Sequence, residues 1–195
     1  MASDVETANS ALQKLGQDRI AFLSDDSPAA RSCNVALFRI RDKLLRGRNA
    51  WNFAIVRAQL AASVTAPLFG KANAFPLPSD FLRLLPLDPV DNVNTDDRQI
   101  ESHGGTRAIV TDEDAPLDIR YVRRVTDPNE MDSLFLELWA TDLALDICLD
   151  VTGSNTKKEA LRADRKAILE EAKAVNAYES VAPVPPTDPW ITVRA

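Results

Sequence analysis

His103 is the only histidine of the chain and the first residue to examine for catalysis, because imidazole can act as a general base near neutral pH. Glu101 lies close before it, and Gly104-Gly105 follows directly. Nucleophilic catalysis would also need an activated serine or cysteine, and no G-x-S-x-G turn occurs. A metal site would need more histidine or cysteine ligands at fixed spacing. We therefore interpret His103 as an ordinary hairpin residue.

Acidic residues are the second group that could do chemistry. Asp112-Glu113-Asp114 resembles part of a calcium loop but lacks the glycine and the distal glutamate of an EF-hand. We interpret it as a solvated turn, and Asp96-Asp97 as a loop of the same kind. No carboxylate pair is marked for glycoside hydrolysis, and neither GxxxxGK[ST] nor GxGxxG is present. The sequence predicts no enzyme activity, no metal and no cofactor.

The charge balance bears on nucleic-acid binding. The net charge is −6 and the isoelectric point is near 4.9, whereas a protein that reads DNA usually carries a basic footprint. The most basic stretch holds the arginines between residues 39 and 57, which contact phosphates, form a solvated face or pair with acidic neighbours. We therefore expect the protein to come close to DNA only transiently and without sequence specificity.

Cellular location is predicted from two further features. Cys33 and Cys148 both lie in apolar helical contexts, which favours small buried side chains over a disulfide. No basic region followed by an apolar run opens the chain, and no stretch approaches 18 apolar residues. We expect a soluble protein without a membrane anchor, made in a reducing cytosol.

Four helices are predicted, at about residues 4–16, 28–46, 129–152 and 155–179. Ser3 or Asp4 offers the first N-cap, and Gly16 a C-terminal stop. Ser27-Pro28 combines a capping hydroxyl with proline at the first helical position. In the second helix the apolar stripe consists of Ala30, Cys33, Leu37, Ile40, Leu44 and Leu45.

The third predicted helix is apolar around much of its circumference. Leu138, Trp139 and Leu143 are at its centre. A helix of this kind lies in a core or in a subunit interface. Both placements stay open for these three residues, and we favour an apolar surface that is shared between copies of the molecule.

A β-rich insertion is predicted at about residues 51–126. Residues 99–103 and 106–111 flank Gly104-Gly105, a hairpin signal. Residues 118–125 alternate like a strand, and Ser79-Asp80 is placed to cap one short turn that holds Phe81 and Leu82. The fold class is therefore α+β, mainly α: a bundle of about four helices with a small antiparallel sheet or hairpin inserted.

The end of the chain has a different composition. We assign residues 1–181 to one domain and 182–195 to an extended arm, because its four prolines exclude a helix or a central strand. Trp190, Ile191 and Val193 are apolar, which a solvated tail seldom keeps. The arm is either a disordered tail or a segment that docks on a partner.

Several phrases, in this order and spacing, resemble a known pattern. They are Asn9-Ser10-Ala11-Leu12-Gln13-Lys14-Leu15-Gly16, Trp51-Asn52-Phe53-Ala54 and Leu77-Pro78-Ser79-Asp80-Phe81-Leu82-Arg83, with Ile20, Ser24, Ala30, Cys33, Asp42–Leu45, Arg57-Ala58, Leu60, Ile119-Arg120-Tyr121, Phe135 and Leu143-Ala144. Over residues 5–178 the chain resembles the tail tubular protein A family of head-to-tail adaptors in short-tailed bacteriophages. The phrases WNFA and LPSDFLR at this separation carry most of the specificity.

The resemblance implies a structural virion protein in the phage neck. Such adaptors form a ring, usually of twelve copies, beneath the portal protein; the ring bridges the portal to the tail nozzle protein and leaves a channel for DNA. The family supplies no catalytic residues, and the arm lies outside the matching part. The alternatives are a head-completion connector of a long-tailed phage and a small hydrolase.

Overall fold

The computed structural model describes residues 2–87 and 97–179. This part of the chain holds four α-helices and two three-stranded antiparallel sheets, which confirms the predicted α+β, mainly α class. The contacts divide it into two compact units: a helical unit of residues 2–55 and 122–179, and a β unit of residues 56–87 and 97–121. The predicted arm, with Trp190, Ile191 and Val193, lies outside the described residues.

The helices are α1 (Asp4–Leu15), α2 (Pro28–Arg46), α3 (Ser133–Thr152) and α4 (Asn155–Tyr178). Three of them begin at a serine whose hydroxyl accepts a backbone N–H of the first turn: Ser3, Ser27 and Ser154. Gly16 ends α1 with φ +68°, a left-handed conformation that an L side chain rarely adopts. Local capping chemistry thus fixes most of these helix ends.

The start of α3 differs from the prediction of residue 129. Pro128–Glu130 form a separate 3₁₀ turn, in which the Asp127 carboxylate accepts the Asn129 N–H at 2.9 Å. Met131 and Asp132 are extended, so α3 begins only at Ser133. Pro128 is favourable in the first turn of a helix. The extended residues Met131 and Asp132 nevertheless separate this 3₁₀ turn from α3.

α3 is the central helix of its unit and contacts α1, α2 and α4. Leu138, Trp139 and Leu143 are all fully buried within a single chain. The Trp139 indole N–H donates to the Leu37 carbonyl of α2 at 2.9 Å. Three packing partners explain why α3 is apolar on most sides: the structure places these three residues in the core, not on a surface left for a second copy.

α4 lies along α3 through a narrow stripe. Only Leu161 and Ala172 are buried among its residues. An ion pair adds to this contact: the Arg165 guanidinium binds the Asp142 carboxylate of α3 through both of its oxygens, Nη2 to Oδ2 at 3.1 Å. The hydrogen bond to Asp142 raises the pKa of Arg165, so the guanidinium stays protonated. Most of the circumference of α4 is left exposed.

Six strands form the two sheets. They are β1 (Ile55–Leu60), β2 (Asn73–Pro76), β3 (Phe81–Leu85), β4 (Gln99–His103), β5 (Thr106–Thr111) and β6 (Leu117–Arg123), in the orders β1-β6-β3 and β2-β5-β4. β4 and β5 form the predicted hairpin around Gly104-Gly105, with His103 opposite Thr106. Both glycines have positive φ, +58° and +81°, as such a tight turn requires.

The buried apolar residues of the β unit form two clusters, of which the smaller consists of Ala74, Ala108 and Val110. Phe75, Ile109 and Leu117 are among the most buried members of the larger cluster, in which the Phe81 and Tyr121 rings stack with centroids 5.6 Å apart. The prediction that Phe81 and Leu82 lie in a capped turn is therefore wrong. They begin β3, because pairing with β6 and burial of the Phe81 ring stabilise an extended chain more than one isolated turn would.

Candidate interaction surfaces

His103, the only histidine, is the last residue of β4. Its Nε2 lies 2.8 Å from the Thr65 carbonyl oxygen, a contact that joins the hairpin to the loop after β1. The ring therefore has a structural partner on the backbone. In the part of the chain that the structure describes, no three histidine, cysteine, aspartate or glutamate side chains come together as ligands for a metal ion.

The acidic residues after β5 make more hydrogen bonds and ion pairs than the predicted solvated turn would make. The Asp112 carboxylate accepts the Ala72 N–H at 2.9 Å and a Lys71 ammonium hydrogen at 3.1 Å. The bond from Ala72, followed by that from Lys71, lowers the pKa of Asp112. Lys71 also pairs with Asp97, so the three charges connect separate loops of the β unit.

Glu113 makes the most buried ion pair of this unit. Its two carboxylate oxygens accept from the Arg98 guanidinium, whose side chain is almost fully buried, with Nη2 to Oε2 at 2.6 Å. A third donation runs from Arg98 Nη1 to the Asp118 carbonyl at 3.0 Å. The hydrogen bond from Arg98 lowers the pKa of Glu113. These carboxylates stabilise loops, and their partners are cations of the same chain.

Two arginines of the basic stretch are engaged within the helical unit. Arg39 pairs with Asp146 of α3 at 2.7 Å. Arg41 is nearly buried, binds Asp42 at 3.0 Å and places its guanidinium carbon 5.3 Å from the centre of the Phe38 ring. Arg46 and Arg48 are exposed and have no ion-pair partner among residues 2–87 and 97–179. Arg57 of β1 is likewise exposed and without an ion-pair partner among these residues, so the phosphate-contact alternative concerns the end of α2 and Arg57.

Both cysteines are buried in the helical unit, as predicted. Cys33 and Cys148 are free thiols without accessible surface. Burial raises the pKa of the Cys33 thiol to about 11, since the thiolate is poorly solvated there. Cys33 thus packs as a small apolar residue, whereas the Cys148 thiol also lies 3.6 Å from the Ser154 carbonyl oxygen, to which it donates.

An open groove runs between α1 and α3. Its lining includes Glu6, Ser10, Lys14 and Glu137, and its volume is about 780 Å³. Lys14 and Glu137 pair across it at 3.3 Å. Acyl-transfer chemistry usually needs a general base within hydrogen-bond distance of a nucleophile. These side chains do not provide such a pair.

Exposed large hydrophobic side chains are the feature that sequence patterns missed. In the helical unit, Phe22, Val35 and Phe38 are 65%, 78% and 39% exposed. In the β unit, Leu68 and Phe69 are 98% and 88% exposed, and Val64 is fully exposed. Contiguous apolar patches on a folded surface are typical of protein-binding sites, whereas single exposed apolar side chains are common. We call Val35 and Phe38, which share one side of α2, the α2 patch, and the second set the β1–β2 loop.

A sequence signal existed for one of these surfaces. Val35 and Phe38 are spaced i, i+3 but lie off the stripe that carries Cys33, Leu37 and Ile40, so they had to point away from the core. The β1–β2 loop offered no such signal, because a strand-linking segment has no period to show which side chains are covered.

No family model matches the chain, and no curated protein shows significant similarity to it. In addition, none of the helices within the described ranges has the length and apolar character needed to cross a bilayer. The function of the chain is therefore inferred from its exposed surfaces and not from a similar protein of known function.

Proposed function

We propose that this protein is a structural virion protein: a ring-forming head-to-tail adaptor that joins a phage portal protein to the tail nozzle protein and leaves a channel for DNA. The ring is a homo-oligomer, a dodecamer by the family resemblance. The resemblance to tail tubular protein A adaptors suggests this role, and the surfaces of the two units are compatible with it. The chain performs no reaction in this role, and it binds no cofactor.

One observation carries the proposal: each of the two compact units exposes its own set of large hydrophobic side chains. A chain of this size buries enough apolar residues to fill a core, yet ten large hydrophobic side chains of the described residues remain exposed, and partners that cover them would gain free energy from their burial. Phe22, Val35 and Phe38 belong to the helical unit, and Val64, Leu68 and Phe69 to the β unit. An adaptor needs separate surfaces for separate partners.

The charge of the chain supports the second part of the role. A net charge of −6 repels the phosphate backbone, and a DNA conduit benefits when the duplex does not adhere to its wall. Twelve copies would multiply this field around the channel. DNA therefore passes close to the ring without a specific contact.

The bridging activity is tested with three purified proteins: the full-length chain, the portal and the nozzle protein of the same phage. We expect portal and nozzle to co-sediment only when the chain is added, with many copies of the chain per portal. Association of portal and nozzle that the chain does not change would contradict the proposal. Binding to a portal without any nozzle contact would instead favour the connector of a long-tailed phage.

A further inference from the structure

A cleft lies where α2 and α4 both pack against α3. Its volume is about 380 Å³, and residues of all three helices line it. Besides Ile40 and Leu145, the lining consists of charged side chains. They are Lys43 of α2, Asp142 and Asp146 of α3, and Lys158, Arg162 and Arg165 of α4. The predominance of cations here contrasts with the net charge of −6 of the whole chain.

The two carboxylates of the cleft are already paired with arginines. Asp142 accepts from the Arg165 guanidinium through both of its oxygens, and Asp146 pairs with Arg39 of α2 at 2.7 Å. Asp150, one turn further along α3, does not line the cleft. Neither lining carboxylate is therefore left to neutralise the lysines.

The two lysines face the cleft from different helices. Lys43 is exposed and Lys158 is half-buried, and neither has a hydrogen-bond or ion-pair partner among residues 2–87 and 97–179. Arg162 pairs with the exposed Glu159 at 2.5 Å. Four cations and two carboxylates give the lining a net charge of +2. Glu159 and Arg39, the two ion-pair partners outside the lining, cancel each other.

Arg165 provides a donor whose position is fixed. Its Nε and Nη2 bind Asp142, which holds the guanidinium plane, whereas its Nη1 makes no hydrogen bond within the described ranges. The side chain is 34% exposed, so a ligand in the cleft can reach it. A guanidinium that is held in this way loses little conformational entropy when it binds an anion.

A phosphate monoester matches this set of donors. At pH 7 such a group carries a charge of about −1.5 to −2 and three strong acceptor oxygens. These oxygens can accept from two ammonium groups and one guanidinium at the same time. A carboxylate has a single charge and two oxygens, so it would leave part of the lining charge uncompensated. The cleft volume also falls within the usual range of small-ligand sites, about 300–1,000 Å³.

We propose that the cleft between α2, α3 and α4 binds a phosphate monoester dianion, with Lys43, Lys158 and Arg165 as its donors. The inference goes beyond the adaptor function and does not depend on ring formation. The bound anion would connect α2 with α4, so it also stabilises the helical unit.

Duplex DNA matches the cleft less well. Each phosphodiester of its backbone carries one negative charge, and the chain as a whole repels the many charges of a duplex. The expected ligand is therefore free phosphate or a small molecule with a terminal phosphate group.

NMR titration of the ¹⁵N-labelled, full-length chain tests the site at about pH 7.5, where a phosphate monoester is mostly doubly charged. At constant ionic strength in chloride, we expect inorganic phosphate to bind with a Kd on the order of 1 mM or tighter. Dimethyl phosphate, a diester with one charge, should bind about tenfold more weakly. Equal affinities for the two compounds, or no shifts with phosphate, would overturn the inference.

Two further ligands distinguish the sources of the phosphate group. Tighter binding of glucose 6-phosphate than of inorganic phosphate would identify an ester as the ligand, and the reverse order would identify free phosphate. A blunt duplex without terminal phosphates should not compete with either ligand. Competition by this duplex would assign the lysines to a DNA surface and overturn the inference.

Lys43→Gln and Lys158→Gln each remove one donor. We expect each to weaken phosphate binding by about tenfold, since a charge-assisted hydrogen bond and one unit of charge are lost. The matched controls are Arg46→Gln in α2 and Lys166→Gln in α4, which are exposed cations outside the cleft lining. Unchanged binding by either cleft variant, or an equal loss in the controls, would contradict the site.

Asp146→Asn provides a test with the opposite sign. Removing this carboxylate raises the charge of the cleft, so phosphate should bind several-fold more tightly, although the ion pair with Arg39 is lost. Weaker or unchanged binding would show that charge does not determine the affinity. Circular dichroism melting checks that all five variants fold.

Discussion

The helical unit and the β unit are stabilised in different ways. In the helical unit, one apolar helix, α3, is covered by the three others, and its central side chains are fully buried. The β unit has a small apolar cluster, and charged groups connect its loops: the nearly buried Arg98 with Glu113, and Lys71 with Asp97 and Asp112. Both units contain ion pairs, but those between helices of the first unit surround an apolar core, whereas those of the second unit connect loops. The two units should therefore respond to different perturbations.

The largest effect is expected from Trp139→Asp in α3. An unpaired carboxylate at a site without accessible surface costs several kcal/mol, and the indole hydrogen bond to Leu37 is lost as well. We expect the free energy of unfolding, measured by urea denaturation, to fall by more than about 4 kcal/mol. Trp139→Phe is the control, with a loss of about 1–3 kcal/mol from the missing hydrogen bond and volume. A cooperative, near-native unfolding curve for Trp139→Asp would show that α3 is not the centre of the core.

A smaller effect is expected from Glu113→Gln in the β unit. Breaking a buried pair costs about 3–5 kcal/mol, but the Glu113 side chain is more than a third exposed, so solvent screening reduces the expected loss to about 1–2 kcal/mol at pH 7. Glu101→Gln, at an exposed carboxylate of β4 without an ion pair in the described part of the chain, is the matched control. Equal free energies of unfolding for the two variants would show that the Arg98–Glu113 ion pair does not stabilise this unit.

The same pair predicts a pH dependence. Because the pKa of Glu113 lies below its ordinary value of 4.5 in the folded chain, the unfolded chain binds the proton more tightly. The stabilisation is therefore complete above pH 4.5 and is lost as the pH falls through the folded pKa. The stability difference between the unmodified chain and Glu113→Gln should shrink accordingly in urea titrations below pH 4.5. A difference that stayed constant down to pH 3 would contradict this origin.

The smallest effect on stability is expected in the β1–β2 loop. Leu68→Ser with Phe69→Ser removes two exposed side chains, so the free energy of unfolding should change by no more than about 0.5 kcal/mol. Co-sedimentation of portal and nozzle through the chain should nevertheless weaken, because an apolar contact with a partner is lost. Ala66→Ser is the control in the same loop. Full bridging by the double variant would show that this loop is not a partner surface.

Local signals allowed the helices to be predicted from the sequence. Ser3, Ser27 and Ser154 cap their helices through side-chain bonds to nearby backbone N–H groups, and Gly104-Gly105 forms the hairpin turn. All of these contacts lie within a few residues of each other, where sequence patterns are informative.

Non-local packing explains what the sequence did not predict. Phe81 and Leu82 enter a strand because β6, more than thirty residues later, pairs with it. The apolar surface of α3 suggested contact between copies, yet three helices of the same chain cover it. Leu68 and Phe69 are exposed because no other part of the described chain covers them, and a local sequence pattern carries no information about such distant contacts. The arm at residues 182–195 lies outside the described residues, so the docking role of Trp190 stays a prediction.

Electron cryomicroscopy of the full-length chain bound to its own portal tests the central claim most directly. The account predicts a closed ring of many copies, twelve by family resemblance, coaxial with the portal channel. A portal decorated by isolated single copies, or a chain that stays monomeric beside its portal at high concentration, would contradict it.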